Sequence, residues 1–472
     1  MKLAVVGAGW AGCAAAVEAA RCGHQVTLLE SARTAGGRAR RVDILADGEP
    51  LALDNGQHIL IGAYECTLQL MQELGVAPAT HLLRLPLRLR FPNGDGLAFA
   101  DFSRWPAWLR PTASVQAAIG IASARGWPWH EKASLLRLAL RWQAAGFQCA
   151  PGLSVSALCQ GLAAGPMTGL IEPLCVSALN TPAERASAQV FLRVLQDALF
   201  GAAGASDLLL PSKDLGALLP DAALRWLTAR GHSVQTGVRV TALSQHAAGW
   251  RISTEAPGQA LHPAGKADTL FDAVLLACPP TEAARLVQTA LPANDLPAPH
   301  GPADAAIQRW LALARDLRHE PIATVYAQVP PAARGAGAGC LPQPLLALVS
   351  SASEPAQFVF DRGQLGARPG LLAFVVSASQ GDKTDISAKV LAQGRRQLGL
   401  PLALVQTIIE KRATFACTPD LQRPAALIAP GLLACGDYID GPYPATLEGA
   451  VRSGLAAARL LAQGDGAPAG GH

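Results

Sequence analysis

The first thirty residues carry a pattern of apolar runs and polar breaks that predicts a strand, a turn, a helix and a second strand. Residues 2–6 form a short apolar run of strand type, and residues 14–20 have the alanine-rich pattern of a helix. Between them lies the glycine-rich segment Gly7-Ala8-Gly9-Trp10-Ala11-Gly12, and a second apolar run at residues 25–29 ends on Glu30. This order of elements is typical of a βαβ nucleotide-binding unit.

Strand-type patterns return later in the chain, on either side of a long helical middle section. Residues 41–45 and 50–53 predict a hairpin, and three strands are predicted at residues 232–240, 250–252 and 272–278. Runs at residues 322–329, 345–350, 357–360 and 371–377, with turn residues between them, predict an antiparallel sheet. A last buried-type strand is predicted at residues 432–435, before an alanine-rich helix that begins near Thr446.

The glycine-rich turn has the spacing that a dinucleotide needs. Gly7 permits the tight turn, Gly9 lets the backbone approach a pyrophosphate, and Gly12 lets the helix pack closely on its strand. The helix N-terminus adds unpaired N–H groups and a partial positive charge. Glu30, at the end of the second strand, can accept hydrogen bonds from a ribose hydroxyl. The predicted nucleotide contacts in this unit are Gly7, Ala8, Gly9, Ala11, Gly12, Glu30 and Ser31.

Two further motifs resemble a known superfamily. Five residues separate Glu30 from Gly36-Gly37-Arg38, and Gly436-Asp437 follows the predicted strand at residues 432–435. With the helix that starts near Thr446, they resemble the two ends of the FAD-binding domain of the flavin amine oxidase and phytoene desaturase superfamily. The resemblance implies bound FAD, with the second glycine pair against the diphosphate. The further FAD contacts predicted here are Gly36, Gly37, Arg38, Val238, Gly436, Asp437, Thr446 and Leu447.

From this resemblance we expect an α/β protein with two domains built from interleaved segments. The Rossmann-type FAD-binding domain is assembled from residues 1–75, 200–290 and 405–472. Residues 76–199 and 291–404 form an α+β substrate domain, which contains the antiparallel sheet and a helical subdomain.

Segments in the middle of the chain narrow the resemblance to the hydroxysqualene dehydroxylase family, which acts in bacterial hopanoid synthesis. They are LDNGQHIL at residues 53–60, LNTP at 179–182, ASDLLLP at 205–211 and PATLEGA at 444–450. The resemblance implies an FAD-dependent oxidoreductase that replaces the hydroxyl of 12-hydroxysqualene by hydrogen, and contact with other squalene-synthesis enzymes. Two alternatives stay open: a desaturase or oxidase of a carotenoid-like hydrocarbon, and a flavin-containing lipid carrier or scaffold with little turnover.

A dense polar cluster, Asp54-Asn55-Gly56-Gln57-His58, interrupts an apolar neighbourhood. One interpretation is a turn in which the Asp and Asn side chains bond their own backbone. The other is catalytic: His58 donates a proton to the departing hydroxyl group, and Asp54 orients the imidazole. A hydrogen bond from His58 to the flavin is equally compatible with the sequence.

Composition excludes several other classes of function. A net charge of +4, with 16% charged residues, does not favour nucleic acid as a partner. The ten cysteines form no C-x-x-C pair and no cluster with histidine, which argues against a metal site or disulfide framework and predicts a reducing, cytoplasmic environment. Hydrophobic residues make up 50% of the chain, yet no uninterrupted apolar run is long enough to predict a membrane-spanning helix.

Tryptophan is concentrated in one segment, at about residues 100–147. Five of the nine tryptophans in the chain lie there among arginines: Trp105, Trp108, Trp127, Trp129 and Trp142. Tryptophan with arginine suits a membrane interface, although a helical subdomain with tryptophan in its core is an equally good interpretation. We expect this segment to make reversible, peripheral contact with the inner face of the cytoplasmic membrane.

Overall fold

The computed structural model describes residues 1–100, 102, 105–109, 111–255, 270–291, 302–334 and 339–464 of the chain. The proline-rich loop predicted at residues 291–302 lies almost wholly outside these ranges. Part of the Gly/Ala/Pro segment at residues 330–339, and all of the tail after residue 464, lie outside them as well.

The β-strands are numbered in chain order through the described residues. They are β1 (Lys2–Val6), β2 (Gln25–Glu30), β3 (Arg41–Ala46), β4 (Glu49–Asp54), β5 (Leu60–Ile61), β6 (Leu82–Leu85), β7 (Arg88–Arg90), β8 (Gly96–Ala98), β9 (Leu208–Pro211), β10 (Ser233–Thr236), β11 (Arg239–His246), β12 (Gly249–Glu255), β13 (Leu270–Phe271), β14 (Ala273–Leu276), β15 (His319–Gln328), β16 (Leu345–Ala347), β17 (Phe358–Asp361), β18 (Leu371–Ser377), β19 (Ala403–Phe415), β20 (Leu427–Ala429) and β21 (Leu432–Ala434).

The α-helices are numbered in the same way, and short 3₁₀ or π turns occur at Ala107–Leu109, Met167–Ile171 and Pro331–Ala333. The helices are α1 (Trp10–Arg21), α2 (Glu65–Glu73), α3 (Pro78–His81), α4 (Ala113–Ser123), α5 (Trp129–Ala144), α6 (Val155–Leu158), α7 (Ala164–Pro166), α8 (Glu172–Leu179), α9 (Ala188–Leu199), α10 (Leu215–Leu218), α11 (Pro220–Thr228), α12 (Pro280–Ala290), α13 (Pro302–Asp316), α14 (Lys383–Leu398) and α15 (Leu447–Gly464).

The two strands of the predicted nucleotide-binding unit, β1 and β2, belong to a six-stranded sheet with the order β10-β2-β1-β14-β21-β20. Its strands are parallel except β20, which is antiparallel to β21. Alternate residues of β1 serve opposite faces: Leu3 and Val5 pack in the core with α1 and α15, whereas Ala4 and Val6 face the rest of the molecule. The sheet thus contains strands from both the N-terminal and the C-terminal part of the sequence, β1 and β2 with β20 and β21.

The strand predicted at residues 232–240 is in fact two strands in different sheets. β10 is parallel to β2, whereas β11 turns away and pairs with β12. The break lies at Gly237, whose φ of +73° takes the backbone out of the extended region. The N–H groups of Gly237 and Val238 donate to the carbonyl oxygens of Ala32 and Glu30, both at 2.9 Å. The break thus holds Val238 beside the end of β2.

The predicted antiparallel sheet is present, and it has the order β16-β17-β18-β15-β19. One face packs in a core with α14, and the other contributes Phe358, Phe360 and Val375 to a central cavity. The long strand β19 was missed from the sequence because it is a half-exposed edge strand with a polar stretch at residues 410–412. The domain boundary predicted at residue 405 falls inside β19, which pairs with β15 along most of its length.

The tryptophan-rich segment combines features of both interpretations of its composition. Trp142 is buried, and Trp127 packs against Gly165 and Gly169. In contrast, Trp108 and Trp129 are 82% and 69% exposed. The segment is thus a helical subdomain with tryptophan both in its core and on its surface.

Candidate active site

A cavity of about 760 Å³ lies between the six-stranded sheet and the antiparallel sheet. Part of its wall comes from the glycine turn, the end of β2 and the loop after β21. Another part comes from α8, α9, β17 and β18. The predicted nucleotide motifs line one part of this cavity. The other part is largely apolar, and we call it the chamber.

The glycine turn has the geometry that a diphosphate needs. A Cβ atom on Gly12 would lie 1.9 Å from the Gly7 carbonyl oxygen, so only glycine lets α1 begin this close to the strand. A Cβ atom on Gly9 would meet nothing within 4 Å, because this position opens onto the cavity. Gly9 also precedes α1 without a side chain that caps the helix. The first N–H groups of α1 are thus available to an anion.

The glycine pair Gly36-Gly37 packs directly on the glycine turn. The Gly36 N–H donates to the Ala8 carbonyl oxygen at 2.8 Å, and a Cβ on Gly37 would lie 3.4 Å from Gly9 Cα. Trp10 stabilises this arrangement, because its indole Nε1 donates a hydrogen bond to the Ala39 carbonyl oxygen at 3.0 Å. Sequence analysis gave Trp10 no role, since its partner lies 29 residues away.

Glu30 lies at the cavity wall and is oriented by the backbone around it. Its Oε2 accepts the Ala8 N–H at 2.7 Å, while Oε1 accepts the Ala32 N–H at 2.8 Å and the Ser31 hydroxyl at 3.2 Å. A carboxylate has about four lone-pair positions, so acceptor capacity remains for a ribose hydroxyl. The position fits the predicted contact with a nucleotide.

The two ends of the chain meet in an ion pair at the cavity. Arg38 donates from its guanidinium group to Asp437 Oδ1 and to the Ala413 carbonyl oxygen, the latter at 2.8 Å. Asp437 is buried, and Gly436 before it receives support from Ser453, whose Oγ accepts the Gly436 N–H at 3.1 Å. Four predicted contacts, Gly37, Arg38, Gly436 and Asp437, are thus brought together in the wall.

The N-terminus of α15 faces the same cavity. Thr446 Oγ1 accepts the Gly449 N–H at 2.9 Å and donates to the Tyr443 carbonyl oxygen at 2.7 Å. Because this side chain caps the helix, Thr446 and Leu447 offer a ligand their backbone N–H groups rather than their side chains. A helix N-terminus at this point favours negative charge on a bound group.

Glu448 is a structural residue that sequence analysis did not identify. Its side chain is completely buried, and it joins α15 to the start of α2. The carboxylate accepts the N–H groups of Cys66 and Thr67 at 3.0 and 2.9 Å, the Thr67 hydroxyl at 2.6 Å and Arg452 Nε at 2.6 Å. Only the position of Glu448 beside the predicted FAD contacts signalled its importance.

His58 lies at the cavity wall with one ring nitrogen already engaged. Nδ1 is 2.8 Å from the Gly56 carbonyl oxygen. A carbonyl oxygen can only accept, so Nδ1 carries the proton and Nε2 is the nitrogen free to meet a ligand. Burial, together with the charge of Arg38, holds the pKa of His58 below its usual 6.5. The resting imidazole is therefore neutral at pH 7.

Asp54 does not orient His58, contrary to the prediction. Asp54 Oδ1 accepts the Leu215 N–H at 2.8 Å, and Oδ2 lies 3.7 Å from the Arg362 guanidinium. The side chain is 1% exposed, so its charge needs this compensation within the fold. The Gly56 carbonyl oxygen orients the imidazole instead. Asp54 is thus part of a buried junction between β4, α10 and the residue that follows β17, rather than a partner of His58.

We predict that Asp54→Asn removes a pH dependence of stability. Burial raises the pKa of Asp54 from 3.8 to about 6, more than Arg362 and the Leu215 N–H lower it. The folded state therefore binds the proton more tightly than the unfolded chain, and the unfolding free energy falls as pH rises through this window, by roughly 3 kcal/mol in all. Thermal unfolding between pH 4 and 7 measures this slope. It should be shallower in Asp54→Asn and unchanged in Asp47→Asn, an exposed control. Parallel curves for Asp54→Asn and the unmodified protein would refute the prediction.

The chamber beyond His58 is mostly apolar. Leu174 of α8, Phe191 and Leu195 of α9, and Phe358 and Phe360 of β17 contribute to its wall. Asn180 is also present, but its amide is committed to the fold. Its Nδ2 donates to the Glu320 carbonyl oxygen at 3.1 Å and to Thr414 Oγ1 at 3.0 Å, while Oδ1 accepts the Ala378 N–H at 2.7 Å. Such a chamber suits a hydrocarbon ligand that carries few polar groups.

Comparison with known sequences gives matches along almost the whole chain. A family model described as "Flavin containing amine oxidoreductase" matches residues 10–462. The chain is 27% identical over 479 residues to a hydroxysqualene dehydroxylase of Rhodopseudomonas palustris, and 27% identical over 471 residues to one of Sinorhizobium fredii. Each match covers 97% of this chain and 97% of the relative. A zeta-carotene desaturase of Synechocystis is 39% identical over 75 residues, which are 16% of this chain and 15% of that protein.

Solved structures share the fold at low sequence identity. An oxidoreductase from Methanosarcina mazei superposes with a TM-score of 0.66 at 15% identity, over 97% of this chain and 99% of that one. A putrescine oxidase bound to putrescine gives a TM-score of 0.64 at 16% identity, over 98% of both chains. At this level of identity the likeness concerns the fold.

Proposed function

The chain belongs to the flavin containing amine oxidoreductase family and is an FAD-dependent oxidoreductase, and we propose that it converts 12-hydroxysqualene to squalene by removing the hydroxyl group. The proposed reaction belongs to hopanoid and isoprenoid biosynthesis. The predicted cofactor and the predicted α/β flavoprotein fold are confirmed by the family match and the solved structures. The observation that carries the proposal is the single cavity that joins the FAD motifs to an apolar chamber. Two relatives named hydroxysqualene dehydroxylase support the choice of substrate.

The apolar chamber accounts for binding of such a substrate. An isoprenoid alcohol offers a long hydrocarbon chain and one hydroxyl group, so burial of apolar surface, at about 25 cal/mol per Å², dominates its affinity. The side chains of Phe191, Phe358 and Phe360 supply aromatic surface for this contact. Orientation of the hydroxyl group is left to polar groups of the wall, of which His58 is our candidate.

Reduced FAD, when bound, supplies the hydride equivalent that replaces the hydroxyl group. In the proposed reaction the carbon–oxygen bond breaks, and the departing oxygen takes a proton from Nε2 of protonated His58 and leaves as water. The Gly56 carbonyl oxygen holds the ring through Nδ1–H in both charge states, so Nε2 keeps one direction throughout. Because burial and, to a smaller extent, Arg38 disfavour the imidazolium, its pKa is lowered and the proton that it carries is more acidic than usual.

Anaerobic incubation of the photoreduced protein with 12-hydroxysqualene tests the proposed function. We expect stoichiometric reoxidation of the flavin and a product that has lost the hydroxyl group without gaining a double bond. The product is identified by mass spectrometry, and the flavin is followed by its absorbance.

Other outcomes, including that of a parallel incubation of the oxidised protein with a hydrocarbon, support other functions. The short match to a zeta-carotene desaturase favours desaturation of a carotenoid-like hydrocarbon as the second candidate. A product with a longer conjugated chromophore, formed by oxidised protein from the hydrocarbon, would establish it. A protein that binds the lipid and leaves the flavin spectrum unchanged would be a carrier, and the proposal would fail.

A further inference from the structure

Exposed apolar side chains are concentrated on one part of the molecular surface, around α4 and α5. Trp108 and Trp129 are the most exposed of them, at 82% and 69%. We call the following seven residues the tryptophan surface: Trp105, Trp108, Leu109, Val115, Ile119, Trp129 and Leu140. The other large apolar side chains of similar exposure in the described residues are Leu45, Val349, Leu404, Leu427 and Leu460, which belong to other elements.

Two hydrogen bonds hold α4 beside α5, and these helices carry four of the seven side chains: Val115, Ile119, Trp129 and Leu140. Lys132 Nζ of α5 donates to the Ala122 carbonyl oxygen of α4 at 2.8 Å, and Gln143 Nε2 donates to Ser114 Oγ at 2.8 Å. The C-terminal part of α5 thus lies beside the start of α4, and each of these two parts carries an exposed apolar side chain, Leu140 and Val115. An exposed apolar surface of this kind marks an interaction site.

The charge around the tryptophan surface is positive. Arg125, Arg137 and Arg141 are exposed, and Lys132 lies 4.8 Å from the centre of the Trp129 ring. Between residues 105 and 148 the sequence contains one carboxylate, Glu131, which is half-buried. Indole rings beside arginine are suited to the headgroup layer of a bilayer, and the cations attract anionic lipid.

The α4 part of the tryptophan surface is connected to the wall of the central cavity through Phe99. Leu87 lines that cavity, and its carbonyl oxygen accepts the Phe99 N–H at 2.8 Å. The Phe99 ring in turn packs against Gly120 of α4, where an added Cβ would come within 2.7 Å of it. The outer face of the same helix carries Val115 and Ile119. Helix α4 therefore carries two exposed apolar side chains of the surface and also packs on Phe99, which is bonded to a residue of the cavity wall.

We propose that the tryptophan surface docks on an anionic lipid bilayer, with the tryptophan rings in the headgroup layer and the arginines on lipid phosphates. None of the helices in the described part of the chain is both long and apolar enough to cross a membrane. Contact through this surface is accordingly peripheral and reversible. That the docked face also receives hydrocarbon substrate for the chamber rests on the proposed function; the docking itself does not.

Vesicle sedimentation of the full-length FAD-loaded protein tests the docking. The vesicles contain phosphatidylcholine alone or mixed with phosphatidylglycerol. We expect binding to the mixed vesicles, weakened at least about tenfold by the double substitution Trp108→Ser and Trp129→Ser. Substitution of Arg137 and Arg141 by Gln should weaken binding to the mixed vesicles about fivefold per cation, with little effect on phosphatidylcholine vesicles. The matched control replaces Leu45 and Leu427 by Ser, which lie elsewhere and are similarly exposed.

Each other outcome overturns the docking proposal. Absence of vesicle binding does so, as does binding that the tryptophan and arginine substitutions leave at the control level. A dimer of the free protein that dissociates on Trp108→Ser, without lipid binding, would assign the surface to a second copy of the chain. Flavin absorbance verifies that each variant is folded. Because no substrate is used, failure here is separate from failure of the dehydroxylation assay.

Discussion

Replacing Glu448 by alanine is expected to lower the free energy of unfolding by about 3–5 kcal/mol and to release the bound FAD. The carboxylate lies in a fully buried position, so its loss leaves the N–H groups of Cys66 and Thr67 and the Arg452 guanidinium without their acceptor. The start of α15 is held by the same residue, and this helix presents Thr446 and Leu447 to the cavity.

The measurement is chemical denaturation together with the ratio of flavin to protein after gel filtration. Glu448→Gln, which keeps one acceptor oxygen and loses the charge, should fall between the unmodified protein and Glu448→Ala. Glu65→Ala provides the control, because Glu65 is exposed in the first turn of α2 and should cost less than about 1 kcal/mol. If Glu448→Ala and Glu65→Ala unfold alike, the role assigned to Glu448 is wrong.

The second large effect concerns His58, whose replacement by glutamine should slow dehydroxylation by about 10² to 10⁴ while FAD stays bound. Glutamine can still hydrogen-bond to the substrate hydroxyl group, but it cannot deliver a proton. Single-turnover reoxidation of the reduced protein by 12-hydroxysqualene measures the rate. His246→Gln, at an exposed position on β11, is the matched control.

The pH dependence of that rate gives the assignment of His58 a second test. The pKa of His58 is lowered by burial first and by Arg38 second, with the Gly56 carbonyl oxygen opposing them. The protonated donor is therefore the minor form at pH 7. The rate should rise as pH falls from 8 and should level off only below the usual histidine value of about 6.5. His58→Gln should remove this dependence. A rate that instead falls on acidification would show that the neutral ring acts.

The local parts of the cofactor site were predictable because each rests on neighbours in sequence. The turn from Gly7 to Gly12 and the strand that ends on Glu30 lie where the pattern of glycine and apolar residues places them. The family and the cofactor, which the motifs implied, are confirmed by the match over most of the chain. The substrate and the catalytic roles stay predictions until the experiments above are done.

What could not be predicted depends on partners distant along the chain. Glu448 is hydrogen-bonded to Thr67, which lies 381 positions away in the sequence. Asp54 and Arg362 are likewise far apart in the sequence, although they are close in space. Hydrophobic periodicity shows that a segment is a strand, but not which sheet it joins. For this reason the break at Gly237 was missed, although glycine is present there.

The meeting of the two chain ends also bears on how the protein is made. β21 occupies the position beside β14, and α15 covers α1 so closely that a Cβ on Gly454 would lie 2.2 Å from the Ala11 carbonyl oxygen. The ribosome makes these elements long after it makes the glycine turn. During synthesis the alanine-rich face of α1 is therefore without its cover, and Arg38 without Asp437. We expect FAD to be loaded only once β21 and α15 have been made and have folded beside the glycine turn, and nascent chains to depend on chaperones until then.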